Sequence, residues 1–466
     1  MADAAKEQLR DYLRELKPAA RSLLATELER AQLRGESPPG ASLILETLRE
    51  AARREGQRLP RVGNPQRLFF APIEPFIVDD APERQHRGRI ARACLDPIWT
   101  WICRDLMPKE AKSYSDQVQL LLAAKEKNGA EQVARAFQDL AEQRLRECFL
   151  AIKRDEKAEQ RLAAQIGTPH ALDDVRELAA ILRLRDALGV ISSRLPPTIS
   201  NLGEGQLENA KALLDSPIAR HRDVFLYALL LVMNRLGAPW QLIRLAIHAA
   251  ASDVAEHVAA TPFAVAVDLV LGDLDRMIAN LQTCLKAGLR EAIEGTLKDI
   301  HDCARALHSE IELPADSAWG RRLAASRGAV AKLLEGEIEN LPGQVRRLLR
   351  PRPAKETPAA GLDEIDVAEI EGKLVLAAAC RNYAGELAIS ETTRRVTSDL
   401  QTYFDNGIQI LIDRLRSSPA SERAFRQSQV DAAVKFCAKL FGAEYAGLLA
   451  KAAGIAAKGE QKLATA

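Results

Sequence analysis

Metal-ligating side chains come closest together in this chain at Ile300-His301-Asp302-Cys303, with His308 seven residues on and His248 and His257 upstream. Imidazole and carboxylate are both ligand types for divalent metals. Spacing limits what they can do together. On a helix, His301 and His308 lie two turns apart, about 10 Å along the axis, too far to share one ion. Each directly follows a position of an apolar stripe, Ile300 and Leu307, so both sit on its flank. Histidines placed that way on a packed helix need no ligand.

The adjacent His-Asp pair resembles the central element of the HD-type phosphohydrolases, which are all-helical and also use an upstream His and a downstream Asp as metal ligands. The resemblance covers two adjacent residues. It implies a metal-dependent phosphohydrolase centred on His301 and Asp302, with His257 as the upstream ligand. Other catalytic signatures are missing. The nearest glycine pair, Gly203-Glu-Gly205, lacks the third glycine and the preceding strand of a dinucleotide fold, and no Gly-x-x-x-x-Gly-Lys-Ser/Thr occurs. Neither Gly-x-Ser-x-Gly nor His-Glu-x-x-His is present. Apart from that metal alternative, the sequence implies no catalytic residue, no metal and no cofactor.

Charge excludes further classes. Lys and Arg total 65 against 64 Asp and Glu, so no net field draws the chain to nucleic acid or an anionic membrane. The basic run from Arg84 to Arg92 follows Asp79, Asp80 and Glu83, which points to an internal ion-pair network. Arg346, Arg347, Arg350 and Arg352 sit at a helix C-terminus, where the macrodipole favours cations. No aromatics interleave with either cluster to stack bases, so no nucleic-acid partner is expected. The seven cysteines are scattered and never spaced as Cys-x-x-Cys, and the N-terminal residues lack the apolar core of a secretory signal. A reducing, cytoplasmic setting is expected. The longest apolar run, Phe225 to Met233, is far short of the ~20 residues that cross a bilayer, so no membrane association is expected.

Arg67 to Pro82 follows a different pattern from the rest. Pro72 and Pro75 argue against a normal helix, and apolar side chains alternate on both faces, Phe69, Ile73 and Ile77 against Leu68, Phe70, Phe76 and Val78. An extended strap clamped between helices is the structural expectation. The functional one is a docking segment that completes its cover with another chain, with Phe69, Phe70, Ile73, Glu74, Phe76, Arg84 and Arg87 as candidates. Glu74, a carboxylate among Phe, Ile and Pro, should pair with Arg84 or Arg87 or carry a raised pKa.

The elements that would position these residues are helices. Hydrophobic residues make up 47% and charged residues 28% of 466, the balance of a folded chain of two to four domains. Pro and Gly punctuation predicts helices over 3–16, 18–34 and 40–55. Amphipathic patterns predict further helices over 87–106, 116–127 and 130–166, then from 168 to 189, 223–236 and 239–260. From 262 to 313 the pattern is nearly continuous, with Leu274, Ile278, Leu281, Leu285, Leu289, Ile293, Leu297, Ile300, Ala304, Leu307 and Ile311 as a coiled-coil-like seam weakened by Gly288 and Gly295. The Pro-rich stretch 350–362 reads as a linker, and stripes at 365–387, 396–415 and 425–449 as a small bundle. No repeat of fixed period occurs.

The expectation is an all-α protein. Its parts are N-terminal helices 1–60, the aromatic segment and a Trp-containing helix 61–110, a main body 111–349, the linker 350–362 and a C-terminal bundle 363–466. By elimination its function is that of a non-enzymatic interaction, scaffold or regulatory protein. Its partner would be another protein, or a second copy paired through the 274–311 seam.

Overall fold

The computed structural model describes residues 9, 12–13, 16–33, 38–54, 63–79, 87–152, 156–167, 170–288, 290–350 and 361–458. The protein is all-α. The strands among the described residues are β1 (Ile77–Val78) and β2 (Ile90–Ala91), two residues each and paired in parallel. None of the described helices is long and apolar enough to cross a membrane. The chain forms two compact units, Met1–Pro197 with Ala212–Asn234, and Thr198–Lys211 with Arg235–Ala466.

In the first unit, α1 (Pro18–Leu33) and α2 (Ala41–Arg54) match the expected second and third helices within a residue at either end. The first expected helix, 3–16, falls largely outside the described residues. Leu13, Ala25, Leu45 and Leu48 form a local core there. Glu29, buried on α1, pairs with Arg49 of α2 and, at 3.6 Å, with Arg67. The unit continues through α3 (Pro65–Phe70), α4 (Arg92–Trp101), a π turn Ile102–Leu106, α5 (Pro108–Ala123), α6 (Lys127–Ile152), α7 (Glu156–Ile166) and α8 (Ala171–Arg194). The helix expected over 130–166 is therefore α6 and α7, with 153–155 outside the described residues. After α9 (Glu204–Leu214), which lies mostly in the second unit, the first unit resumes with α10 (Arg222–Met233), which buries nine of its twelve side chains. An apolar helix of that kind belongs at the centre of a core.

The second unit holds α11 (Leu242–Ala250), α12 (Ala255–Ala259), α13 (Ala264–Ala287), α14 (Arg290–Ser309), α15 (Ala318–Ile338), α16 (Leu341–Leu348), α17 (Glu364–Tyr383), α18 (Ser390–Arg416), α19 (Ala420–Phe441) and α20 (Ala443–Lys458). The seam expected from 274 to 311 is two helices packed against each other. Gly288 ends α13 in a left-handed conformation, φ +66°, its N–H donating to the last-turn carbonyls of Cys284 and Leu285. Glycine takes that conformation without steric cost. Leu274, Leu281, Leu297, Ile300, Leu307 and Ile311 are buried by this chain itself, and Leu289 lies outside the described residues.

The compact units also divide the chain elsewhere than at the expected linker. Helices on both sides of 350–362 share the second unit, because α17 packs on α14, α15 and α16. Both ends of the Pro-rich stretch are tied to α19: Gln429 Nε2 donates to the Arg350 carbonyl at 3.0 Å, and Leu362 N–H donates to Ser428 Oγ at 2.9 Å. Gly442, at φ +95°, separates α19 from α20 within the stripe expected over 425–449.

Candidate functional site

The aromatic segment is helical. Asn64 caps α3, its side-chain oxygen accepting the Arg67 N–H at 2.8 Å, and Pro65 occupies the first turn. A 3-10 turn over Ala71–Phe76 follows, with Pro72 in its first turn, and only Ile77–Val78 is extended. The expected strap is corrected on a simple ground. A proline in a first turn replaces an N–H that has no intrahelical acceptor, so Pro72 starts a short 3-10 turn as Pro65 starts α3, and Pro75 lies inside that turn.

Phe69, Phe70, Ile73 and Phe76 are all buried. The Phe69 ring lies 5.0 Å from Phe70, 5.3 Å from Trp99 and 5.5 Å from Phe137, while Tyr114 stacks on Phe137 at 4.3 Å. Phe76 meets Tyr227 edge-on at 5.5 Å. Both faces of the segment are thus filled by this chain. Three side chains donate to its backbone: Tyr114 Oη to the Pro65 carbonyl at 2.7 Å, Gln138 Nε2 to the carbonyls of Leu68 and Phe69 at 3.0 Å each, and Asn234 Nδ2 to the Pro75 carbonyl. Sequence reasoning missed Gln138. Its signal was a polar residue within the buried stripe Ala134, Phe137, Ala141 and Leu145 of α6. Glu74 is exposed, so its carboxylate is solvated and needs neither of the partners expected for it.

Arg84 lies outside the described residues, and Arg87 is exposed. Two backbone amides of that run are held by carboxylates on α8. Gly88 N–H donates to Glu177 Oε1 at 3.1 Å and Ala91 N–H to Asp174 Oδ2 at 3.2 Å, while Tyr227 Oη donates to Glu177 Oε2 at 2.5 Å. Arg89 donates to Asn234 Oδ1 at 3.1 Å, and Arg92 pairs with Asp79, as the local charge balance implies. Gly88 has φ +74°, and a Cβ there would lie 2.6 Å from Leu230 Cδ1.

Burial pushes the Asp174 carboxyl above its usual range, against the lowering effect of hydrogen bonds from Cys94 and the Ala91 N–H. The folded state therefore holds the Asp174 proton more tightly than the unfolded chain does. Its contribution to stability is greatest below the ordinary aspartate pKa of about 3.9 and falls as pH rises through the elevated folded value. Asp174→Asn keeps an acceptor for Ala91 and removes that fall. Urea denaturation from pH 4 upward should show the variant gaining on the wild type as pH rises; a constant difference would refute the assignment.

The His-Asp pair stands apart from these groups. His301 Nδ1 lies 3.0 Å from Asp302 Oδ1, and its ring packs 5.0 Å from that of Tyr383. Partial burial and the Asp302 charge push the neighbouring Asp299 carboxyl up. His257 is exposed, with Nδ1 at 2.9 Å from Ser252 Oγ, and His308 is exposed on the flank of its stripe. Among the described residues, no three His, Cys, Asp or Glu side chains converge as a metal site requires. The donor set does not fit the ion that the phosphohydrolase resemblance implies.

No family model, curated protein or solved structure matches this chain. Its chemistry must be read from its own surface.

One helix has a surface out of keeping with its position. On α20, Ala446 and Ala453 are buried, and Tyr445 Oη donates to Asp405 Oδ1 of α18 at 2.5 Å. The opposite face presents Leu448, 70% exposed, and Ile455, 67% exposed. Beside them, Gly447 and Gly454 open onto space, since an added Cβ at either would meet nothing within 4 Å. Leucine and isoleucine one heptad apart, each next to a glycine, form two knobs and two notches on one ridge.

Proposed function

We propose that this chain is a non-enzymatic, cytoplasmic interaction or scaffold protein that associates with a second copy of itself through the outer face of α20. The exposed ridge of Leu448 and Ile455 carries this reading. A two-fold interface joins the same patch on both copies and so requires self-complementarity. In an antiparallel pair centred on Lys451, Leu448 of each copy faces Gly454 of the other, and Ile455 faces Gly447. Cysteine chemistry supports the reducing compartment: none of the seven forms a disulfide, and burial pushes Cys380 and Cys437 up to about 12, leaving them as inert thiols.

Size sets the strength. Sixteen helical residues span about 24 Å, and a strip about 10 Å wide offers roughly 240 Å² per copy, well short of the ~800 Å² of a stable interface. The two Lys451 ammonium groups meet near the axis and repel, so salt should strengthen the pairing. The expected affinity is weak, of order 0.1 to 1 mM. Sedimentation equilibrium should show a salt-strengthened dimer that Leu448→Glu abolishes and Lys451→Gln tightens. A chain that stays monomeric at about 1 mM in high salt would overturn the proposal.

A further inference from the structure

A cleft of about 240 Å³ lies between α16 and α17, lined by Gln344, Arg347, Leu348, Asp366, Glu369 and Ile370. Spacing explains the lining. Gln344, Arg347 and Leu348 share one face of α16 at i, i+3 and i+4, and Asp366, Glu369 and Ile370 repeat that spacing on α17. Leu348 and Ile370 are buried and supply the apolar lining. Lys373 closes one end, donating to Glu369 Oε1 at 2.8 Å and Gln344 Oε1 at 3.3 Å, so the Glu369 charge is already answered.

The other end is different. Arg347 and Asp366 line the same cleft, both exposed, and among the described residues neither makes an ion pair or hydrogen bond with the other or with any third side chain. Each has a local reason to be there, the guanidinium in the last turn of α16 and the carboxylate in the first turn of α17, where the helix dipoles favour those signs. Held apart, they present one cation and one anion across an apolar surface.

We propose that this cleft binds a small zwitterion, a free α-amino acid with a short apolar side chain. Its carboxylate takes the fork of Arg347, its ammonium group takes Asp366, and its hydrocarbon lies on Leu348 and Ile370. The volume is below the roughly 300 Å³ at which pockets for larger ligands begin, which restricts the site to molecules of this size. Because the charges are solvated and the cleft is open, affinity in the millimolar range is expected. This site is independent of the α20 ridge.

The test is isothermal titration of the full chain with L-leucine, with 4-methylpentanoate, which lacks the amine, and with 3-methylbutylamine, which lacks the carboxylate. Leucine should bind at least tenfold more tightly than either. Arg347→Gln and Asp366→Asn should each weaken leucine at least tenfold; both residues are exposed, so both variants should fold. Absence of leucine binding at about 10 mM, equal binding of either half-molecule, or unchanged affinity in both variants would overturn the proposal.

Discussion

Gly320→Ala should destabilise the second unit by about 2 to 4 kcal/mol. Gly320 lies in the first turn of α15, and a Cβ there would fall 2.1 Å from the Pro314 carbonyl oxygen. That is a backbone atom, which no rotamer change can move. The same carbonyl accepts the Ser317 N–H at 2.9 Å and Ser317 Oγ at 2.7 Å, while Ser317 Oγ accepts the Gly320 N–H at 2.9 Å. Displacing it breaks the whole helix cap, an interaction worth about 1 kcal/mol on its own. Trp319, in the same turn, donates from Nε1 to Asp268 Oδ1 at 2.8 Å, so its fluorescence reports the damage directly. Gly336 is the internal control. It lies in the same helix with nothing within 4 Å of an added Cβ, and Gly336→Ala should stabilise by about 0.5 to 1 kcal/mol. Equal urea midpoints for the two variants would show that the close approach at Gly320 is not real.

The contrast between these glycines shows what the sequence conceals. Helix existence and most helix ends are legible because they depend on neighbouring residues: Pro18 opens α1, and Asp363 caps α17 by accepting the Ile365 N–H. Gly288 is visible as a weak point of the 274–311 pattern. Whether the chain bends there or runs through depends on what the two halves pack against, and periodicity does not carry that information. The aromatic segment fails for a related reason. Pro72 and Pro75 read as helix breakers, although Pro72 opens a 3-10 turn, and α3 ends after six residues with Ala71 N–H and Gln138 of α6 donating to its last carbonyls. The unit boundary is not legible either: low complexity over 350–362 reads as a linker, but both ends of that stretch are fixed by Ser428 and Gln429, more than sixty residues on. Of the chemistry-bearing residues, the flank positions of His301 and His308 follow from spacing alone. Gln138, Asp174 and Glu177 do not stand out, because each acts on backbone that is distant in sequence.

Gln138→Met tests one of those hidden contributions, with an expected cost of about 1 to 3 kcal/mol. Met has nearly the shape of Gln and preserves the packing against Phe69 and Phe137, so the change isolates the hydrogen bonds. What it removes is a donor to the Phe69 carbonyl and a second donor to the Leu68 carbonyl, which also accepts the Ala71 N–H, at the junction of α3 with a 3-10 turn. A buried carbonyl left without a partner costs about 1 to 3 kcal/mol, and Leu68 keeps the Ala71 N–H as its partner. Gln138→Glu separates hydrogen bonding from bulk. At neutral pH its carboxylate faces two carbonyl oxygens and should destabilise more than Met, whereas protonation at low pH restores one donor and should recover part of the loss. The carboxyl is thus held above its unfolded pKa, and its contribution to stability falls as pH rises through the folded value. Urea denaturation followed by tryptophan fluorescence reads both effects, since Trp99 lies 5.3 Å from Phe69 in the affected cluster. If Gln138→Met cost less than about 0.5 kcal/mol, or the Glu variant showed no recovery in acid, the Phe69 carbonyl would have to be satisfied by other means.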